Sequence, residues 1–342
     1  MKKVKVEEAV GMILCHDITR IVPGESKGPA FRKGHIIRQE DVPKLLDLGK
    51  AHIYVWENQE GMLHENDAAL RLAKAAAGSG LNLSEPKEGK VNLTAAADGL
   101  LKVDVNSLEL INGIDQLIIA TLHTNRMVKA GQQVAGCRVV PLVIAEEKIV
   151  EAERICSSIQ GIISVKTLHK VRAGLVTTGS EVYYGRIKDA FGPVIKSKLE
   201  QFGSSLHKQV FVPDDVEKIA QAVRELKAEG VDLVLTTGGM SVDPDDLTPT
   251  GIKSAGAEII AYGAPVLPGS MFMLAYLDGM PILGLPGCVM YAKTTIFDLV
   301  LPRVLCGEKL SRQDLVKLGH GGLCLNCEVC TFPHCHFGKE GK

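Results

Sequence analysis

Two short stretches collect residue types that can do chemistry. In the first, "LVLTTGGMSVDPDD" at 233–246, an apolar segment runs into a glycine pair and then into Asp243, Asp245 and Asp246. Glycines at the end of a buried strand let backbone N–H groups approach an anion closely, and phosphate is the usual guest. Carboxylates beside a phosphate need a cation, commonly Mg²⁺ held by one or two carboxylates and the phosphate oxygens. The same residues also suit a plain turn fixed by Pro244, with Asp246 capping a helix that opens at Leu247-Thr248-Pro249, a contribution of about 1 kcal/mol. On residue types alone both alternatives stand. The spacing fits neither the phosphate loop with its Lys-Ser/Thr nor the dinucleotide glycine pattern.

The second stretch, "GGLCLNCEVCTFPHCHFGK", places Cys324, Cys327, Cys330 and Cys335 at gaps of two, two and four residues, with His334 and His336 alongside. Thiols this dense outside an oxidising compartment point to a metal, either Zn²⁺ or an iron–sulfur cluster. The bacterial ferredoxin run is close, but its last gap is three and its proline follows the final cysteine, whereas Pro333 precedes Cys335. Both metals stay open. Cys15, Cys137, Cys156 and Cys306 are scattered singly and suit small core positions.

The rest of the chain must position these residues. Its 342 residues suit two or three domains, and 46% hydrophobic with 23% charged residues is an ordinary globular balance. A net charge of −1 and 4% aromatics argue against a nucleic-acid surface. No apolar run is long enough to cross a bilayer, and "MKKVKVEEAVGMIL" lacks the apolar core of a secretory signal, so the expected location is cytoplasmic.

Patterning divides the chain into four parts. Residues 1–87 read as a mixed α/β region with a helix in "EDVPKLLDLG" and another in "HENDAALRLAKAAAGSG". Residues 88–170 read as a small β-rich domain, with strands in "GLLKVDVNSLELI", "QLIIATL" and "VKAGQQVAGCRVVPLVI". From 171 to 310 strands and helices alternate. "DDVEKIAQAVRELKAEG" is the clearest helix, capped by Asp214 or Asp215, and "VMYAKTTIFDLVL" is expected to be another. Such alternation predicts an α/β fold: a mostly parallel sheet with helices on both faces, a three-layer domain that binds ligands beyond the strand carboxyl ends. Residues 311–342 form the cysteine-rich tail.

Residues 171 to 305 resemble the molybdopterin-binding domain of molybdenum cofactor biosynthesis proteins, and most closely the MoeA-type molybdopterin molybdenumtransferase branch. "TTGSE" is similar to that family's Thr-Gly-Asp-Glu turn, "VPDDVEKI" to its Asp-Asp helix start and "TTGGMSVDPDD" to its Gly-Gly-x-Ser-x-x-x-x-Asp segment. "LPGSM" and "LPGCV" stand at its two Pro-Gly loops, while "AVGMILCHDI" is only loosely similar to its opening. The resemblance implies that Asp246 is the essential acid, associated with Mg²⁺ and adenylylated molybdopterin. It implies that Gly238, Gly239 and Ser241 hold the pterin phosphate, that Thr178, Gly179 and Glu181 form the first turn, that Asp189 is the Asp of the family's Asp-Ser-Asn, and that Pro268, Gly269, Pro286 and Gly287 shape the pocket. It further implies pterin and molybdate as small-molecule partners, a homodimer, and a molybdoenzyme or cofactor-pathway protein as a further partner.

Several positions depart from the pattern. Ser180 replaces an Asp, Ala190 and Phe191 replace Ser and Asn, Leu267 and Ser270 replace two lysines, and Cys288 replaces an Asn. A charge-assisted hydrogen bond of the kind a lysine makes to an anion is worth about 1.5–3 kcal/mol, and each replaced lysine forgoes one. Binding is therefore expected more firmly than molybdenum insertion. The alternative is a non-catalytic molybdopterin or nucleotide carrier or sensor whose tail binds zinc or a cluster. Arg32, Lys33 and His35 in "FRKGH" are candidates to restore positive charge, or else part of a solvated β-loop.

Overall fold

In the strand segments after residue 171, neighbouring residues alternate between two cores, as the two-residue period of a strand requires. The computed structural model describes residues 2–22, 26–55, 60–157, 159–241 and 243–339. The chain divides into two units, one of Met1–Ala97, Lys102–Leu122 and Lys129–Val165, the other of Asp98–Leu101, His123–Val128 and Lys166–Lys342.

The second unit holds a six-stranded sheet, built from β1 (Arg172–Thr178), β2 (Ser205–Val212), β3 (Leu233–Thr237), β4 (Glu258–Tyr262), β5 (Met273–Leu277) and β6 (Met280–Leu285). Its spatial order is β2-β1-β3-β6-β5-β4. The first four strands pair in parallel, whereas β5 runs antiparallel to both β6 and β4. Leu175, Leu235 and Leu283 point to one face, where they meet Ile195 and Leu199 of α1 (Phe191–Glu200) and Phe297 and Val300 of α4 (Ile296–Leu305). Val176, Val234 and Ile282 point to the other face, towards Ile219 and Val223 of α2 (Val216–Ala228) and Ile252 of α3 (Thr248–Ser254). The result is the expected α/β sandwich of helix, sheet and helix. Burying a Leu or Phe side chain completely contributes about 1.5–3 kcal/mol, so the continuous apolar runs of β1, β3 and β6 need covers on both faces.

Helix starts follow their caps. Asp215 accepts from the Lys218 N–H at 3.0 Å and begins α2. The helix expected in "VMYAKTTIFDLVL" begins later than its apolar pattern suggests. Residues Gly287–Met290 form a 3₁₀ turn, and α4 starts only after Thr295, whose side chain accepts from Phe297 N while Asp298 accepts from Thr295 N at 2.7 Å. This capping box supplies otherwise orphaned donors with acceptors and fixes the boundary.

In the first unit, antiparallel strands Leu81–Leu83, Lys90–Ala95, Gln133–Val139 and Leu117–Thr121 form a four-stranded sheet in that order. Helices Glu65–Ala76 and Glu146–Ser157 are joined by Arg71, which donates to Glu146 at 2.5 Å and to Glu153 at 2.8 Å. The strand expected across "GLLKVDVNSLELI" is a strand only over Gly99–Val103; Val105–Asn112 is a helix. Ser107 donates to the Asp104 carboxylate at 2.7 Å at the start of that helix, and Asn112 pairs with both backbone groups of Ile119 at its end. Local side-chain partners thus override β-propensity there. Lys33 donates to His64 at 3.1 Å and His35 meets Asp41 at 2.7 Å, so both are committed inside this unit.

Helix α4 ends in a buried ion network. Arg303, 7% exposed, donates to Glu308 at 2.8 Å and to Asp314 at 2.7 Å. Burial alone would raise the Asp314 carboxyl, but hydrogen bonds from Ser311 and Arg303 outweigh it and hold the group at about 2. A depressed carboxylate adds stability above its unfolded value near 3.9, and that stability fades as pH falls towards 2. Asp314→Asn is expected to cost roughly 1–2 kcal/mol at pH 7, after allowance for solvent screening, and almost nothing near pH 2. Urea denaturation at several pH values checks this, and a cost that does not change with pH would contradict it.

Candidate functional site

The carboxyl ends of β1, β3 and β6 are adjacent in the sheet, so their turns, Thr178-Gly179, Gly238-Gly239 and Pro286-Gly287, open side by side. Gly238 has a φ of 83°, and a Cβ there would lie 2.2 Å from the Thr178 carbonyl oxygen. Only glycine fits this close approach of two backbones. Behind the turns, Thr248 donates to the Gly238 carbonyl at 2.9 Å, its hydroxyl lies 2.9 Å from that of Thr178, and its N–H reaches the Gly239 carbonyl at 3.2 Å. Thr178 and Thr248 are fully buried, so the turns rest on a dry hydroxyl pair.

Asp246 does not cap α3, whose cap residue is Leu247 without a side-chain hydrogen bond. Its Oδ2 accepts from the Asp243 N–H at 2.8 Å and closes the acidic loop on itself. Asp243 and Asp245 are exposed, and Val242 lies outside the described residues. Tyr262, at the end of β4, donates towards the carbonyls of Met240 and Ser241, each at 3.1 Å. Burial, together with the neighbouring Asp246 charge, raises the Tyr262 phenol. Asp246, Ser241 and the glycine pair therefore share one braced loop.

The first turn is organised by two other acids. Asp214 accepts from the Ser180 N–H at 2.8 Å. Asp189 accepts from the N–H groups of Phe191 and Gly192, both at 2.9 Å, and from Gln209 at 2.8 Å. Its carboxylate is engaged in opening α1 and tying it to β2, while Glu181 is exposed beside Gly179. At the other edge, the Pro268 carbonyl accepts from Ile296 N at 3.4 Å, so the Pro268-Gly269 loop is held at the start of α4. Burial pushes the Cys288 thiol up, and Leu267 is 54% exposed.

The tail docks on this same loop. Leu267 N donates to the Gly322 carbonyl and Cys324 N to the Leu267 carbonyl, both at 2.8 Å, and Phe337 is buried in the core beneath α4. Cys324, Cys327, Cys330, Cys335 and His336 line one cavity of about 170 Å³. Among the described residues, however, no three His, Cys, Asp or Glu side chains are drawn together as a metal site. His336 is committed to the Leu323 carbonyl at 2.8 Å. Hydrogen bonds from the Thr294 hydroxyl and the Phe332 N–H, with Lys293 nearby, lower the Cys330 thiol and favour its thiolate. Cys15, Cys137 and Cys156 are buried, and burial pushes their thiols up to about 11, 12 and 11. Cys306 is half-buried.

Residues 174–305, which contain every strand-end turn, match the family described as "Probable molybdopterin binding domain". This segment, well under half of the chain, is similar to the molybdopterin-binding family of molybdenum cofactor biosynthesis proteins. The molybdopterin molybdenumtransferase of Staphylococcus epidermidis is 32% identical over 166 residues, covering 46% of this chain and 39% of that protein. Its Staphylococcus aureus counterpart is 31% identical over 156 residues, covering 43% and 37%. The chain thus spans well under half the length of the curated relatives it matches. Among solved structures, a molybdopterin biosynthesis MoeA protein from Pyrococcus horikosii aligns over 89% of this chain and 74% of its own, at 15% identity and a TM-score of 0.34. The molybdopterin biosynthesis enzyme MoaB of Thermus thermophilus aligns over 40% and 98%, at 22% identity and a TM-score of 0.33. Residues 3–57 match a domain of unknown function, DUF8806, so the N-terminal stretch is not accounted for by the molybdopterin-binding family.

Within the molybdopterin-binding domain, sequence reasoning passed over Tyr262, Thr248 and Gln209. A Tyr at the end of a strand and a Thr in the first turn of a helix carry no motif; only pairing across the sheet brings them to the loop. Gly238→Ala is expected to destabilise the protein by at least about 1–2 kcal/mol, because it adds both a strained φ and a backbone clash. Gly287 meets nothing within 4 Å of an added Cβ, so Gly287→Ala should leave stability within about 0.5 kcal/mol. Chemical denaturation of the two variants measures the contrast, and equal losses would show that the close approach at Gly238 is relaxed in solution.

Proposed function

We propose that the protein acts in molybdenum cofactor biosynthesis by binding molybdopterin at the strand-end turns and assisting its Mg²⁺-dependent loading with molybdenum. The observation that carries this reading is the convergence of Gly179, Gly238-Gly239 and Gly287 in the segment that matches the molybdopterin-binding family. Backbone N–H groups around the glycine pair and Ser241 would take the phosphate of the pterin. The chemistry of the donor set fits a magnesium ion. One oxygen of Asp246 closes its loop, while Oδ1 has no hydrogen-bond partner among the described residues. A half-exposed carboxylate beside a phosphate cradle is the kind of ligand Mg²⁺ takes. When bound, that ion would neutralise phosphate charge and polarise a phosphoryl oxygen. The chain's own part is to hold the phosphate with backbone dipoles, to fix Asp246 through Asp243 N, and to keep the loop in place through Tyr262. Purified protein given adenylylated molybdopterin, Mg²⁺ and molybdate should release AMP. Asp246→Ala should lower that rate at least about 100-fold, the usual scale for removing a group that stabilises developing charge. No AMP release, or equal release by the variant, would overturn the insertion step.

A second reading rests on Leu267, Ser270 and Cys288, which supply no cation or amide where the resemblance expects them, and on the tail docked against Leu267. In this reading the protein binds the cofactor without turning it over, as a carrier or sensor, and the tail holds Zn²⁺ or an iron–sulfur cluster. The donor chemistry fits, since four thiols share one small cavity and Cys330 is poised towards its thiolate. The protein should then purify with about one equivalent of zinc, or with iron and a visible charge-transfer band, and Cys327→Ser with Cys330→Ser should remove it. A colourless protein without bound zinc would end the proposal for the tail. A homodimer handing its cofactor to a pathway protein or molybdoenzyme completes the picture, and light scattering of the purified protein reads the stoichiometry.

A further inference from the structure

A larger cavity, about 530 Å³, lies in the second unit, and none of the strand-end turn residues lines it. It is bounded by residues 123–127, the end of α1, the first half of α4 and the tail. Its volume falls in the range of small-molecule sites. The lining is two-sided in chemistry. Arg126, Lys293 and Lys339 supply cations, and Phe202, Phe332 and Phe337 supply apolar surface. Lys198 also lines it but is ion-paired with Asp298, which leaves the cavity with an excess of positive charge.

Arg126 is the decisive residue. It sits on a short strand, Arg126–Val128, paired antiparallel with Gly99–Val103 through Leu101, so its backbone is fixed. One terminal nitrogen donates to His334 Nδ1 at 2.6 Å, which makes that imidazole nitrogen an acceptor. The Nε–H is buried and has no hydrogen-bond partner. A guanidinium stays protonated at any ordinary pH, and this buried N–H is a donor that a ligand oxygen or a water in the cavity would satisfy. Arginine's planar fork matches the oxygens of a phosphate. Lys293 is held at the rim by the Glu328 carbonyl at 2.5 Å, so the tail itself sets one of the charges.

We propose that this cavity is a second binding site, for a phosphorylated small molecule whose phosphate meets Arg126, Lys293 and Lys339 and whose apolar body lies on the phenylalanines. It goes beyond the molybdopterin reading and shares no residue with the strand-end turns. Because the tail supplies Phe332, Phe337 and Lys339, a ligand here would also clamp the tail to the domain.

Titration calorimetry on the full chain tests this, with ADP as a compact probe carrying both chemical parts and inorganic phosphate as the headgroup alone. ADP should bind saturably and more weakly as salt rises. Arg126→Ala and Lys339→Ala should each weaken it about tenfold, the effect expected for removing one charge-assisted hydrogen bond. Asp246→Ala should retain this binding in full, which separates it from events at the turns. Lys339 is half-buried at the end of the described chain, so its variant keeps the test open if Arg126→Ala does not fold. No saturable binding of either probe, unchanged binding by both variants, or loss of binding in Asp246→Ala would overturn the site. Phosphate binding as tightly as ADP would overturn the part assigned to the phenylalanines.

Discussion

The meeting of two backbones, the Thr178 carbonyl against Gly238, governs the arrangement of the whole candidate site. It lets β1 and β3 end at one level, so that two turns share a floor. The buried Thr178–Thr248 hydroxyl pair then fixes α3 against those turns, and α3 carries the acidic loop with it. Asp246 is therefore positioned from beneath as well as by its own loop. A side chain at Gly238 would push against the Thr178 carbonyl and lift one turn off the other.

Charge is distributed unevenly around that floor. The acids Asp189 and Asp214 are consumed in holding helix starts and turns, and Tyr262 is consumed in bracing carbonyls. Among the described residues of the acidic loop, Asp246 is the acid whose carboxylate accepts a hydrogen bond within the loop. Leu267 and Ser270 bring no charge to that floor, and Lys33 and His35 are engaged with His64 and Asp41 inside the first unit. Positive charge gathers instead at Arg126, Lys293 and Lys339 in a separate cavity.

Much of this was legible in the sequence where residue types and periodicity agree. The apolar runs of β1, β3 and β6, the amphipathic stripe of α2 and the glycine turns all declare themselves, because burial on two faces leaves no room for polar residues. The boundary of α4 and the helix Val105–Asn112 did not, since the first depends on the Thr295 capping box and the second on the Ser107–Asp104 and Asn112–Ile119 bonds, inside apolar stretches that suit either structure. Whether Asp246 caps a helix was likewise undecidable from type and spacing; the answer rests on where the Asp243 N–H points. Tyr262, Gln209 and Arg126 were invisible because their importance comes from strands that pair far along the chain. The cysteines were legible as a cluster by spacing, while the cavity that they share is a product of how the tail folds back.

The tail is tethered at two points, by Gly322 and Cys324 on Leu267 and by Phe337 in the core. Between those anchors it carries three of the four clustered cysteines, with Cys324 itself one of the ties. The segment between those ties runs through bends and turns rather than an extended strand. One of the ties is Leu267, the residue that leads into the Pro268-Gly269 loop at the start of α4. The cysteine cluster is thus bracketed by two attachments to the domain, so the placement of the thiols and of the Leu267 loop is set by the same segment.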